Sequence, residues 1–145
     1  MLGILDKYAA AGVGFDAVDV FAPNGVKVAR VPSHRLLPDY PANLGVGRRQ
    51  LQKVLGDSAI EAGAQIRLGV TAQSIVDKGD AVEVIFSDGA TGTYDVVIGA
   101  DGVYSQTRKM IFPDAEKPQF TGQAVWRYNL PRPDDLDALQ VYNGP

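Results

Sequence analysis

No cysteine occurs anywhere in the chain. A disulfide framework, a thiol nucleophile and a Cys-ligated metal are therefore excluded. Histidine is almost as scarce, with His34 alone. That nearly excludes a His-based metal site and leaves a serine hydrolase without its ordinary base. No apolar run approaches the ~18 residues of a membrane span, and no basic segment followed by an apolar core opens the chain. A cytoplasmic location is the expectation from these absences. Excess positive charge is missing too: 14 Lys and Arg stand against 17 Asp and Glu, a net charge of −3. Nucleic-acid surfaces need clustered cations, so the expected partner is a small molecule.

What is present is an ordinary globular composition, 46% hydrophobic and 21% charged over 145 residues. That length suits one domain, able to remove roughly 70% of its unfolded surface from water. The stretch that organises it is Tyr94 to Arg108, YDVVIGADGVYSQTR. Val96, Val97 and Ile98 are β-branched and apolar, which predicts a strand buried on both faces. Gly99, Ala100, Asp101 and Gly102 follow with little bulk and one carboxylate, and Tyr104 to Met110 resumes a helix-compatible pattern. In open α/β sheets ligands lie outside the carboxyl ends of strands, where small residues let a backbone approach closely. Asp101 is thus either a ligand-contacting residue or the cap of the following helix. The residues alone leave both readings open.

GADGVYSQTRK after a hydrophobic strand resembles the second fingerprint of the para-hydroxybenzoate hydroxylase-like flavoprotein monooxygenases, which use FAD with NADPH or NADH. The resemblance implies that Asp101, Gly102, Ser105 and Arg108 fall on positions that touch FAD or influence the nicotinamide nucleotide. It further implies that reduced FAD and dioxygen hydroxylate an aromatic small molecule. The protein then supplies position and exclusion of water rather than an acid–base pair. Chemistry on the same fold could instead be that of a reductase or halogenase, or the chain could be a non-catalytic binding remnant.

Taken in order, Met1 to Ala11 has helical spacing with Gly12 as its closing residue. Phe15 to Phe21 and Val26 to Val31 flank Asn24-Gly25, a strong hairpin signal. Pro32 to Asn43 reads as an exposed loop that carries His34 as a solvated side chain. Leu44 to Val46 is a short strand, and the helix after it places Leu51, Val54, Leu55, Ser58, Ala59 and Ala62 on one side until Gly63. Arg48 and Arg49 open this helix, where the macrodipole disfavours cations, so something should compensate them: a phosphate or a carboxylate partner for Arg48, and a carboxylate partner for Arg49. The resemblance implies that Arg48, with Gln52 on the first turn, contacts FAD.

Gln65 to Leu68, Val70 to Val76, Val82 to Phe86 and Thr93 to Ile98 read as strands. The resemblance offers Val70 and Thr71 as backbone contacts near the adenine, whereas their own pattern reads as that of plain strand residues. Phe120 to Leu130 reads as another strand, with Trp126 in the core. Pro131 to Pro145 offers no closing element. The fold class expected is α/β with mixed α+β character, with a β-meander inside an FAD/NAD(P)-binding fold. Residues 1–118 would be part of the FAD domain, the 15–31 hairpin lying on its substrate side, and 119–145 would open a substrate domain.

A phosphate-binding GxGxxG is absent, since Gly45 and Gly47 are followed by Gln50 where the third glycine belongs. The family's later Gly-Asp segment is absent too. The expectation is that the chain covers an interior part of the family fold and needs other segments of the same polypeptide. Alone it should retain FAD weakly and not turn over.

Overall fold

The computed structural model describes residues 3–144. Met1, Leu2 and Pro145 lie outside the described residues, and with them the first two positions of the expected opening helix and the last of the expected tail. The elements in order are α1 (Leu5–Ala10), β1 (Val13–Phe15), β2 (Ala17–Phe21), β3 (Lys27–Pro32), β4 (Asn43–Gly45), α2 (Arg48–Glu61), β5 (Ala72–Asp77), β6 (Val82–Phe86), β7 (Thr91–Tyr94), α3 (Gln106–Ile111) and β8 (Leu139–Tyr142). The class is mixed α/β. Two compact units divide it, Met1–Ile66 with Tyr128–Pro145, and Arg67–Arg127.

In the first unit β2 and β3 form the hairpin that Asn24-Gly25 signals. Val26 N–H donates to Asn24 Oδ1 at 3.1 Å, and Gly25 N–H to the Ala22 carbonyl at 2.9 Å. Phe15 is not part of it: it belongs to β1, paired antiparallel with β4. Asp16 separates the two strands because its carboxylate is drawn elsewhere. It accepts from Arg35 Nε at 2.9 Å, from Arg35 Nη2 at 2.5 Å and from Ala42 N–H at 2.8 Å. That clamp folds the proline-rich loop 33–42 back onto the strands.

The tail expected to lack a closing element instead supplies β8, parallel to β2 with Val18 opposite Leu139. Its four residues are too short to stand out beside the prolines and aspartates that precede them. Tyr142 stacks on Phe21 with ring centroids 4.5 Å apart. Across the same sheet Asp19, 4% exposed, faces Lys27 Nζ at 3.3 Å and Arg30 Nη1 at 3.6 Å.

α1 closes on Ala11 in the right-handed region rather than at Gly12, and α2 runs to a positive φ at Gly63 as expected. Lys7 and Glu61 form an ion pair between the two helices.

The second unit is the expected meander, β5–β6–β7, with α3 against β5. Three expected strands do not form. Gln65 to Leu68 is irregular, because Arg67 pairs with Asp88 and lies over the Phe86 ring at 4.9 Å instead of joining a ladder. Val96 to Ile98 carries no ladder after β7 ends at Tyr94, and Ile98 is 83% exposed rather than buried. Phe120 to Leu130 is likewise unpaired, and Trp126, expected in the core, is 99% exposed. A strand exists only where a neighbour accepts its backbone bonds, and none lies beside these two segments among the described residues.

The core is correspondingly small. Among the described residues the buried apolar side chains are Ala17, Val84 and Ala138. Among them no helix is long and apolar enough to cross a membrane, and no group of three His, Cys, Asp or Glu is gathered for a metal.

Candidate functional site

The turn before α3 is built by its own small residues. A side chain on Gly99 would place its Cβ 2.7 Å from Thr107 Cγ2, so only glycine lets this segment cross the helix so closely. Gly102 holds φ at +80°, a left-handed conformation that lets the chain reverse after Asp101.

Asp101 is consumed by that reversal. Its Oδ1 accepts from the Ser105 hydroxyl, and its Oδ2 accepts from the amides of Gln106 at 2.7 Å and Thr107 at 3.0 Å. Ser105, the N-cap, accepts through Oγ from Arg108 N–H at 2.9 Å, and Arg108 Nη2 donates to the Val103 carbonyl at 2.7 Å. The first-turn amides that a helix ordinarily leaves open are thus filled by side chains. Of the two readings of Asp101, the geometry displays the cap. The Ser105 hydroxyl first, then the Thr107 and Gln106 amides, hold the carboxyl far below its ordinary range. It is an anion at every physiological pH.

This arrangement forms one wall of a cleft of about 580 Å³, within the size range of small-molecule sites. Val70, Thr71 and Gln73 line the other wall, facing Asp101, Tyr104 and Thr107. The fold therefore brings Val70 and Thr71 to Asp101. Thr71 has little backbone left to offer, since its N–H donates to Ser87 Oγ at 3.1 Å and its carbonyl accepts from Ser87 N–H at 2.9 Å. Gln106 and Met110 also line the cleft, four positions apart on α3. Their i, i+4 spacing after Asp101 was the signal that sequence reading passed over.

Arg48 and Gln52 belong to the other unit, on one side of the first turn of α2. Gly47 caps this helix without a side-chain hydrogen bond, and no acidic residue stands in the first turn. Among the described residues neither Arg48 nor Arg49 lies within ion-pair distance of a carboxylate, so the carboxylate partner expected for Arg49 does not form; the one pair inside α2 is Lys53 to Asp57 at 2.6 Å. Open amides, a positive dipole end and two unpaired guanidinium groups form a site suited to phosphate. The pyrophosphate of a dinucleotide such as FAD fits this donor set.

The comparisons with known proteins agree with one another. A family model described as an FAD binding domain matches residues 1–128. 3-Amino-4-hydroxybenzoate 2-monooxygenase of Streptomyces cremeus is 34% identical over 137 residues, covering 90% of this chain and 33% of that protein. 2-Heptyl-3-hydroxy-4(1H)-quinolone synthase of Pseudomonas aeruginosa is 30% identical over 127 residues, covering 88% of this chain and 32% of its own length. The crystal structure of CtdE in complex with FAD and substrate superposes with a TM-score of 0.67 at 22% identity, over 83% of this chain and 28% of that one. That likeness concerns the fold. The chain spans about a third of the length of the curated relatives it matches.

Proposed function

Since the chain belongs to the FAD-binding domain family, we propose that the protein is an FAD-dependent monooxygenase that hydroxylates an aromatic or related small molecule. NADPH or NADH supplies two electrons, one atom of dioxygen enters the ring as hydroxyl, and the other leaves as water. Bound FAD supplies the oxygen-activating chemistry. The observation that carries the reading is the uncapped start of α2, with Arg48 and Arg49 lacking acidic partners inside the matched stretch.

In this reading Arg48 and the open amides neutralise the pyrophosphate, with Gln52 as a further donor one turn on. Asp101 and Ser105 are positioning residues: they fix the reversal at Gly102 so that its backbone can lie against the cofactor. Arg108, tied to Val103, holds the outgoing chain, and Val70 contributes the facing wall. Residues 1–118 belong to the cofactor domain and 119–145 open the substrate domain. A cytoplasmic setting, where NAD(P)H is supplied, goes with this assignment.

The test is the flavin content of the complete protein, beside Arg48→Glu, with NAD(P)H-dependent oxygen uptake on a panel of aromatic substrates. Stoichiometric FAD that the variant loses, and substrate-stimulated uptake, are expected. A complete protein that purifies without flavin and takes none up would sink the reading.

A further inference from the structure

Asp16 stands between β1 and β2 and holds both ends of the loop 33–42. Its main-chain carbonyl accepts from Ser33 N–H at 2.8 Å where the loop begins, and its Oδ1 accepts from Ala42 N–H at 2.8 Å where the loop ends. The same carboxylate takes the Arg35 guanidinium as a fork, Nε to Oδ1 at 2.9 Å and Nη2 to Oδ2 at 2.5 Å. Arg35 Nη1 then ties the middle of the loop, donating to the Pro38 carbonyl at 3.1 Å, and the Tyr40 hydroxyl adds a further tether to Asp6 of α1. The chain therefore enters β4 from a fixed point.

β4 is three residues long, and among the described residues its sheet partner is β1 alone. A two-stranded ribbon of this size is marginal by itself. Phe15 is paired with Asn43, so Asp16 and Ala42 come next along the two strands, and the carboxylate supplies there the acceptor that a backbone carbonyl would supply in a longer ladder. Charge-assisted bonds of this kind are the stronger ones. The Arg35 guanidinium first, then the Ala42 amide, hold the Asp16 carboxyl below its ordinary value, so the clamp stays charged at neutral pH.

Glycines press the ribbon tight at each end. A Cβ on Gly14 would stand 2.5 Å from Pro41 Cγ, and one on Gly12 would stand 2.8 Å from the Gly45 carbonyl oxygen and 2.5 Å from Val46 Cγ2. With so little slack, a displacement at Ala42 is carried along β4 to Val46. Gly47 and Arg48 follow directly and open α2.

Resting on the reading of the α2 start as the pyrophosphate site, we propose that Asp16 is a positioning residue for FAD. It acts through β4 to fix where the α2 amides and Arg48 meet the phosphates.

The experiment uses the complete protein, with FAD affinity read by flavin fluorescence for the wild type, Asp16→Ala, Arg48→Ala and the double variant. The phosphorus NMR resonances of the bound pyrophosphate are recorded beside it. Asp16→Ala is expected to weaken FAD about tenfold and to shift those resonances. In the Arg48→Ala background the same change should cost about threefold at most, because most of its route to the cofactor is already gone. Asp16→Asn should recover part of the affinity, since its Oδ1 still accepts from Ala42 while the charged fork with Arg35 is lost. Unchanged affinity in Asp16→Ala overturns the proposal, and so does a full tenfold loss in the Arg48→Ala background, which marks a general loosening of the unit. Should Asp16→Ala fail to fold, Asp16→Asn carries the comparison, and wild-type affinity with unmoved phosphorus resonances overturns the proposal. The cofactor reading fails separately: FAD held equally by the wild type and Arg48→Ala sinks the α2 site and this proposal with it, whereas FAD that needs Arg48 but is indifferent to Asp16 sinks this proposal alone.

Discussion

Arg30 and Asp137, 107 positions apart, meet at 2.7 Å across the edge of the β3–β2–β8 sheet. Arg30 also stands 3.6 Å from the buried Asp19, so one guanidinium ties the hairpin to the returning chain.

Asp19 is the deeper partner, and its Oδ1 is buried without a hydrogen bond. Replacing it by Ala leaves Lys27 and Arg30 facing each other without their shared anion. A loss of about 1–3 kcal/mol is expected, below the full cost of breaking a buried pair because both cations are half exposed. The midpoint of urea unfolding should fall at constant m, and an unchanged midpoint would remove Asp19 from the account. Asp137→Asn, at the exposed end of the chain of charges, should shift the midpoint less.

Ser105 links Asp101 to Arg108, so its removal should loosen the first turn of α3 on both sides. Ser105→Ala is expected to cost ~1 kcal/mol, the usual worth of an N-cap. Amide exchange at Thr107 and Arg108 should accelerate while the β5–β6–β7 meander keeps its protection. Uniform loss of protection would mean that the residue serves the whole unit rather than the turn. Asp101→Ala should weaken FAD retention by roughly tenfold.

The pH dependence follows from the sign of the Asp101 shift. Its carboxyl is held below the ordinary value in the folded state by Ser105 and by the Thr107 and Gln106 amides. The unfolded chain therefore binds the proton more readily, and the stabilisation is fully present above about pH 4. It is lost only as pH falls through the depressed folded value. Slow exchange at Gln106 and Thr107 should thus persist, after correction for intrinsic rates, from pH 7 down to about 4. A side-chain carbonyl resonance of Asp101 titrating at the ordinary aspartate value would contradict this.

Gly99 and Gly102 should fail for different reasons. Gly99→Ala drives a methyl into Thr107 and is expected to cost about 1–3 kcal/mol as overpacking, partly relieved by Thr107→Ser. Gly102→Ala has open space around it but demands a left-handed alanine, at about 1–2 kcal/mol. No neighbouring substitution should rescue it. Thermal unfolding of the single and double variants separates the two mechanisms.

Elements made by neighbours in sequence were legible. The β2–β3 hairpin follows from Asn24-Gly25, the meander from alternating strands and short turns, and α2 from its apolar side and Gly63. What failed depends on distant partners. Val96 to Ile98 and Phe120 to Leu130 have strand composition, but composition carries no information on whether an adjacent edge is there to receive them. β8 was missed for the converse reason: LQVY is unremarkable until β2 lies alongside it. At the site, the place of Arg48 at the start of α2 could be read from the helix pattern, while its role with Gln52 came from the family resemblance. The cap formed by Asp101 could be read only as one of two alternatives, because a carboxylate in a turn serves either purpose.

The parallel pairing of β2 with β8 also sets a timetable. Val18 leaves the ribosome long before Leu139 is made, roughly ten seconds at ordinary rates of synthesis. Throughout that interval one edge of β2 presents unpaired amides and carbonyls, with the charged Asp19 in the middle of the strand. An inward-pointing charge discourages foreign strands from adding to such an edge. The same carboxylate that later joins Lys27 and Arg30 should thus discourage such pairing on the nascent chain, and a neutral residue in its place should raise aggregation during synthesis.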